Sequence, residues 1–421
     1  SYSTAAGTAN VNWPRAIIIL VSDNNQDYYF VGDLVEISSR HYGFHAPQGY
    51  STHRYKTCNL KTKGRYVRLM VIPSGSYTFC DEIEVFEGPE ENLHLSPGTR
   101  VEDIDELINQ INIKNGIRAR LSTDIKALGE QISASSVTEV IKQQLKSELS
   151  KVEDGLKTLQ EPSTDFRAVI PINSLHEELF RIRAKLQRAE GFPELFFWKN
   201  NQWDLLTPLD IPPKENENVV LNVSMMLNEF RSEAFNITNF SDQQLTAIIK
   251  IDGLPNGKNP DYIKVHQVEY VDTREGVVVG AALPEAKKVT DGYEISLPIG
   301  LTRQIWFTFN PKNIPPGSHS GIVSVTIGKQ TQTIPLELNI YNIEFPDQPS
   351  LSLGMWDYTD RCLYDITPDN RLAAIEDMRN HFVDTPWANR STAPWPSRVI
   401  KKADGYEMEI DYANFEQWIE L

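Results

Sequence analysis

Two groups of residues carry side chains suited to chemistry. Toward the end of the chain, Trp356-Asp357-Tyr358 closes one short apolar run and Asp384-Thr385-Pro386-Trp387 closes another. Aromatic faces stack on sugar rings and carboxylates accept hydrogen bonds from sugar hydroxyls. Trp356, Asp357, Tyr358, Asp384, Thr385 and Trp387 therefore suit a glycan subsite. The same residues also fit tryptophans packed under loops and aspartates that shape turns. Toward the start, "SRHYGFHAPQGYSTHRY" is a polar loop dense in His41, Tyr42, His45, His53 and Tyr55. Its histidines stand four and then eight residues apart in turn-rich chain. No helical or strand geometry underlies that spacing, so no metal site is assigned. The chain has no phosphate-binding glycine loop and no GxSxG, HExxH or Walker pattern, and no cofactor is implied.

The elements that must position these groups change character along the chain. Residues 1–89 are strand-rich: "AIIILVSD", "YYFVGDLVEIS", "GRYVRLMVIP" and "DEIEVFEG" are β-branched or aromatic runs parted by turn residues. Residues 100–190 carry heptad-like apolar positions: Ile104, Leu107, Ile111, Leu121, Ile125, Leu128 and Ile132, interrupted by Lys114 and Arg118. Leu145, Leu149, Val152, Leu156 and Leu159 follow by fours and threes, and so do Leu175, Leu179, Ile182 and Leu186. A helical hairpin turning within Gly129–Ser136, plus a third helix, is expected. It serves as a spacer or, through an exposed seam, for self-association. Residues 191–216 read as an aromatic and Pro-rich connection, 217–345 as short evenly spaced strands of a β-sandwich, and Pro346–Pro349 as a linker. Residues 350–421 then read as strand, helix, strand: "PSLSLGMW", a helix with Leu372, Ile375 and Met378, and "FVDTPW". That is how a (β/α)8 barrel begins, with substrate-contacting groups at the C-terminal ends of its strands. Roughly a quarter to a third of a ~250-residue barrel is expected here.

The composition narrows the class. With 41 Lys+Arg against 57 Asp+Glu, the net charge of −16 disfavours non-specific binding to nucleic acid or anionic lipid. No apolar run is long enough to span a membrane. Three cysteines do not make a disulfide framework. Cys58 and Cys80 both lie near strands of the first domain and could pair, although such residues are more often buried small hydrophobes.

Two resemblances rest on these segments. "VSDNNQDYYFVGDL" followed by "TKGRYVRLMVIPSGSYTFCDEIEVFEG" resembles the second half of a galactose-binding-like discoidin (factor V/VIII C-type) jelly roll, over about seventy residues. Ligands of that family bind through loops at one end, which implies a carbohydrate-contacting rim formed by His41, Tyr42, His45, His53 and Tyr55; the same residues also fit a satisfied surface loop. "MMLNEFRSEAFNITNFSDQ", "RQIWFTFNPKNIPPGSHSGIVSVTI" and "TIPLELNIYNIEFP" are similar to the sandwich that precedes the barrel in bacterial glycoside hydrolase family 123 proteins, with His319 where that family usually has Tyr. This second resemblance implies a β-N-acetylhexosaminidase-like mechanism. In it the substrate's acetamido group attacks the anomeric carbon, assisted by an adjacent Asp-Glu pair on a middle barrel strand. Neither Asp81-Glu82, in a jelly-roll strand, nor Glu376-Asp377, on the barrel helix, matches that pair, so no catalytic residue is assigned.

The expected fold class is multidomain and mainly β. It comprises a partial jelly-roll sandwich, an α-helical hairpin or coiled-coil spacer, a second β-sandwich and the N-terminal part of a (β/α)8 barrel. The expected function is that of a secreted or periplasmic bacterial carbohydrate-active protein with a glycan or polysaccharide as partner. It would be a glycoside hydrolase whose catalytic strands lie beyond the chain, or alternatively a non-enzymatic glycan-binding or cell-surface scaffold.

Overall fold

The computed structural model describes residues 2–4, 10–43, 45, 51–58, 60–159, 162–163, 165–214, 218–273, 276–354, 366–387 and 392–420. They are mainly β, with several sheets and some helices. The chain falls into two compact units, Ser1–Leu186 with Val271–Val278, and Gln187–Tyr270 with Val279–Leu421.

In the first unit, β1 (Tyr2–Thr4), β2 (Pro14–Ser22), β3 (Tyr29–Asp33), β4 (Ser51–His53), β5 (Tyr66–Pro73), β6 (Phe79–Cys80) and β7 (Thr99–Arg100) form two antiparallel sheets. Their orders are β5-β2-β3-β7 and β4-β1-β6. The isoleucine run fills the centre: Ile17, Ile18 and Leu20 of β2 are fully buried. Such a continuous apolar run marks a strand covered on both faces.

Two expected strands differ. "LVEIS" belongs to helix α1 (Leu34–Tyr42), not to a strand. Asp33 caps it by accepting from the Val35 amide at 2.9 Å, and Gly43 ends it at φ +85°. These end signals outweigh the modest helix penalty of Val35 and Ile37. "DEIEVFEG" alternates like a strand but joins no described ladder beyond Phe79–Cys80, and Ile83, Val85 and Phe86 stand exposed. Alternation alone does not make a strand without a neighbour to complete its hydrogen bonds.

The helices follow: α2 (Ile104–Ala134), α3 (Glu139–Gly155) and α4 (Ser174–Ala189). Asp103 caps α2, accepting from the amides of Asp105 at 2.9 Å and Glu106 at 3.1 Å. Leu121, Leu128, Ile132, Leu145, Leu179 and Ile182 are buried, as the apolar period demands. The turn comes later than expected, because α2 runs through Gly129. Gly129 faces α3, where a Cβ would stand 3.5 Å from Leu149, an ordinary van der Waals contact. At the buried end of this bundle Arg120 forms a two-pronged pair with Asp124, at 2.9 and 2.6 Å. Asp124 also meets Nε2 of His176 at 3.1 Å, and Arg120 donates to the Gly276 carbonyl at 3.0 Å.

The second unit begins at β8 (Leu195–Trp198), β9 (Leu221–Leu227), β10 (Arg231–Asn239), β11 (Leu245–Asp252) and β12 (Ile263–Gln267). The ribbon β13 (Glu269–Asp272) and β14 (Val278–Ala282) follows, its Val271–Val278 stretch belonging to the first unit. Then come β15 (Lys287–Val289), β16 (Gly292–Leu297), β17 (Thr302–Phe309), β18 (Gly317–Ile327) and β19 (Gln330–Glu344). A six-stranded sheet, β15-β16-β11-β18-β19-β9, faces a four-stranded one, β12-β17-β10-β8. One apolar cluster draws on both: Ile249, Val323 and Leu336 from the first, Phe235, Ile305 and Phe307 from the second. This is the core of a two-sheet sandwich, each fully buried side chain contributing about 1.5–3 kcal/mol. Strands β10 and β17 are buried on both faces, and their outward face is polar. It is satisfied internally: Asn236 donates to Asn200 at 2.8 Å, Trp198 donates to Thr238 at 2.9 Å, and the Thr238 and Thr302 hydroxyls bond at 2.8 Å.

After the sandwich, Asn228 holds the linker through the Phe345 carbonyl at 3.0 Å and the Asp347 carboxylate at 2.9 Å. Strands β20 (Leu353–Gly354) and β21 (Val383–Thr385) pair in parallel, with α5 (Arg371–Asn380) between them in sequence. An antiparallel hairpin, β22 (Pro396–Lys402) and β23 (Gly405–Ile410), and then α6 (Ala413–Ile419) follow. The strand–helix–strand unit is therefore present, and a hairpin comes next where a barrel would place a second helix.

Candidate functional site: a polar cleft in the first unit

The strand-end candidates divide. Trp356, Asp357 and Tyr358 lie outside the described residues. Asp384 is bound into the strand pair: its Oδ1 accepts from the Leu353 amide at 2.8 Å and from the Thr385 hydroxyl at 3.1 Å. The Leu353 bond holds its carboxyl below the usual range, reinforced by Thr385 and Ser352. These bonds tie Asp384 into the β20–β21 pair. Trp387 is 45% exposed, and its indole lies close to Gly354, where a Cβ would stand 3.4 Å from Nε1.

The N-terminal ring residues divide too. His41 and Tyr42 end α1 on the exposed side, their rings 6.2 Å apart. Tyr42 bonds the Cys58 sulfur at 3.1 Å, which raises the phenol's pKa, and the Lys56 ammonium sits 4.3 Å from its ring centre. Cys58 and Cys80 are both free and exposed, neither paired nor packed as small hydrophobes. His45, His53 and Tyr55 instead gather with Trp13. Ring centres lie 5.1 Å apart for Trp13–His45, 6.2 Å for Trp13–His53 and 4.7 Å for His53–Tyr55. Burial, and next to it the charge of His45, lowers the pKa of His53.

Beside this cluster opens a cleft of about 370 Å³. Trp13, Arg15, His45 and Ser74 line it from the strand side, Asp33, Glu36 and Ser39 from the start and body of α1, and Asn115 and Arg118 from α2. Asp33 ties two of these walls together. Its Oδ1 accepts both the Ile17 amide of β2 and the Val35 amide of α1, each at 2.9 Å. Burial raises its pKa in spite of those bonds. Glu36 behaves oppositely. Burial opposes its ionisation, but Arg118 at 2.9 Å and Arg40 at 2.6 Å, with the charge of Lys114, outweigh burial and lower its pKa.

Two polar atoms of the lining are buried without a hydrogen-bond partner among the described residues: Ser39 Oγ and Asn115 Nδ2. A buried polar atom left unsatisfied costs about 1–3 kcal/mol. An arrangement of one aromatic wall, one ion pair and open amide and hydroxyl groups can bind a small polyhydroxylated ligand. Sequence reasoning missed Trp13, Arg15, Asp33, Glu36, Ser39 and Asn115. The available signal was the break in the α2 heptad at Lys114 and Arg118: charges set into an apolar register face something that needs them.

No family profile and no curated protein matches the chain. Among solved structures it is similar to a family 123 glycoside hydrolase from Clostridium perfringens, at 17% identity and a TM-score of 0.34. That match covers 49% of this chain and 41% of the enzyme, so the chain spans about two fifths of its length. An endo-fucoidan hydrolase of glycoside hydrolase family 107 aligns at 10% identity, over 34% of this chain and 14% of that one, with a TM-score of 0.17. A PapD-like domain of human CEP192 aligns at 13% identity, over 35% and 99%, with a TM-score of 0.19.

Proposed function

We propose that the chain is the glycan-recognising part of a modular carbohydrate-active protein, with the first unit's cleft as a sugar subsite. The observation that carries the reading is the pair of buried polar atoms, Ser39 Oγ and Asn115 Nδ2, without a partner among the described residues, in a cleft walled by Trp13 and His45. Sugar hydroxyls supply both donors and acceptors, and an aromatic wall covers the apolar face of a pyranose ring. Three of the ring residues expected from the sequence, His45, His53 and Tyr55, belong to that wall or stand behind it. In the enzymatic form of this reading, the protein is an N-acetylhexosaminidase-like glycoside hydrolase. The unit β20–α5–β21 then opens a barrel, and Trp356, Asp357, Tyr358, Asp384, Thr385 and Trp387 belong to its substrate side. In the other form it is a glycan-binding scaffold, assembled through its helices. Both suit a secreted or periplasmic setting.

The test is calorimetric and ligand-observed NMR titration of the whole chain against a panel of oligosaccharides. Binding of at least one glycan is expected, weakened about tenfold or more by Arg118→Gln and by Asn115→Ala with circular dichroism unchanged. A panel without a binder, or binding indifferent to both variants, overturns the reading.

A further inference from the structure

We infer that the cleft selects an acidic glycan, its carboxylate received by Arg15 and Arg118; this rests on the glycan reading above. Each of the two carboxylates of the lining commits one oxygen. Asp33 Oδ1 takes two backbone amides, and Glu36 Oε1 takes Arg40 and Arg118. Most of the open groups are donors. Arg15 has neither a hydrogen bond nor an ion pair among the described residues. Arg118 spends one bond on Glu36 and keeps further N–H groups of its five-donor fork. Asn115 Nδ2 is a donor without an acceptor among the described residues, and the Ser39 hydroxyl can serve as either. A site whose spare groups are donors is complementary to a ligand rich in acceptors.

Charge points the same way. Arg15 and Arg118 line the cleft opposite Asp33 and Glu36, and Arg40 and Lys114 act on Glu36 from beside it. Four cations against two carboxylates leave a net positive patch on a chain of net charge −16. Such a patch raises the local concentration of an anionic ligand. A guanidinium fork also matches the planar carboxylate with two parallel bonds, which an ammonium does not. The volume of about 370 Å³ lies in the range of small-ligand sites and is too confined for a folded partner.

The experiment titrates the whole chain with a uronate-containing oligosaccharide, its methyl ester, the matched neutral oligosaccharide and a sulfated one. The uronate is expected to bind about tenfold or more tighter than its ester and the neutral sugar, with an affinity that falls as salt rises. Arg15→Gln, an exposed position, should erase that preference with the circular dichroism unchanged, whereas Arg398→Gln in the second unit should not. Equal binding of uronate, ester and neutral sugar overturns the inference and leaves the glycan reading standing. Tighter binding of the sulfated sugar overturns the carboxylate assignment in favour of sulfate. Failure of all four to bind, with the wider panel also silent, overturns both readings.

Discussion

Removing the Asp124 carboxylate should unlock the first unit. Asp124 and Arg120 are each about 6% exposed in their side chains, and His176 is fully buried. Asp124→Ala deletes two guanidinium bonds, at 2.9 and 2.6 Å, and the contact with His176 at 3.1 Å. It also strands the Arg120 charge away from water, with the Gly276 carbonyl and Asp272, 3.7 Å away, as its remaining partners. Breaking one side of a buried pair costs about 3–5 kcal/mol. In a unit of this size each kcal/mol lowers the midpoint by about 2–4 °C, so the melting transition should fall by ~6–20 °C. The assay is thermal unfolding by circular dichroism at 222 nm, repeated in denaturant. A companion variant separates the stranded charge from lost packing. In Arg120→Met with Asp124→Leu the stranded guanidinium is gone, while His176 loses an acceptor, the Gly276 carbonyl a donor and Asp272 an ion-pair partner, so the expected cost stays below that of Asp124→Ala. A shift under about 2 °C for Asp124→Ala would refute the reasoning. So would a double variant as destabilised as the single one.

Two further outcomes are expected. Gly292 sits at φ +153° with its Cβ position 2.1 Å from the Ile249 carbonyl oxygen. Gly292→Ala should therefore destabilise the sandwich by at least ~1–3 kcal/mol, read from the midpoint of its denaturant transition. Burial raises the Asp33 pKa, so the folded state holds that proton more tightly than the unfolded chain. The resulting stabilisation is complete below the unfolded value of about 3.9 and is lost as pH rises through the folded value. Asp33→Asn keeps an oxygen for Ile17 and Val35 but cannot ionise. Its stability relative to the parent should rise between acid and neutral pH in a denaturation series, and a relative fall would contradict the assignment.

Much of the framework was legible because periodic burial leaves a periodic trace. Leu121, Leu128 and Leu145 announced their helices, and the alternation of Val323, Val325 and Ile327 announced a sandwich strand. Helix α1 was not legible from apolar pattern alone, since Val35 and Ile37 favour strands. Asp33 and Gly43, which bound it, act through caps. The cleft was hidden for a different reason. Its members lie at 13, 36 and 118 and meet only when β2, α1 and α2 converge, so no local spacing records them. The ring residues His41 and Tyr42 were close in sequence to the cleft's His45 yet face elsewhere, because a helix of one and a half turns after Glu36 carries them away from it.

The double acceptance by Asp33 has a kinetic consequence. One oxygen fixes the strand bearing Arg15 and the helix bearing Glu36 and Ser39 in a common frame before any ligand arrives. A cleft preassembled in this way needs no ordering step on encounter, so association should proceed at the ordinary orientation-limited rate of roughly 10⁵–10⁷ M⁻¹s⁻¹. Discrimination among ligands would then be written almost wholly in how long each one stays.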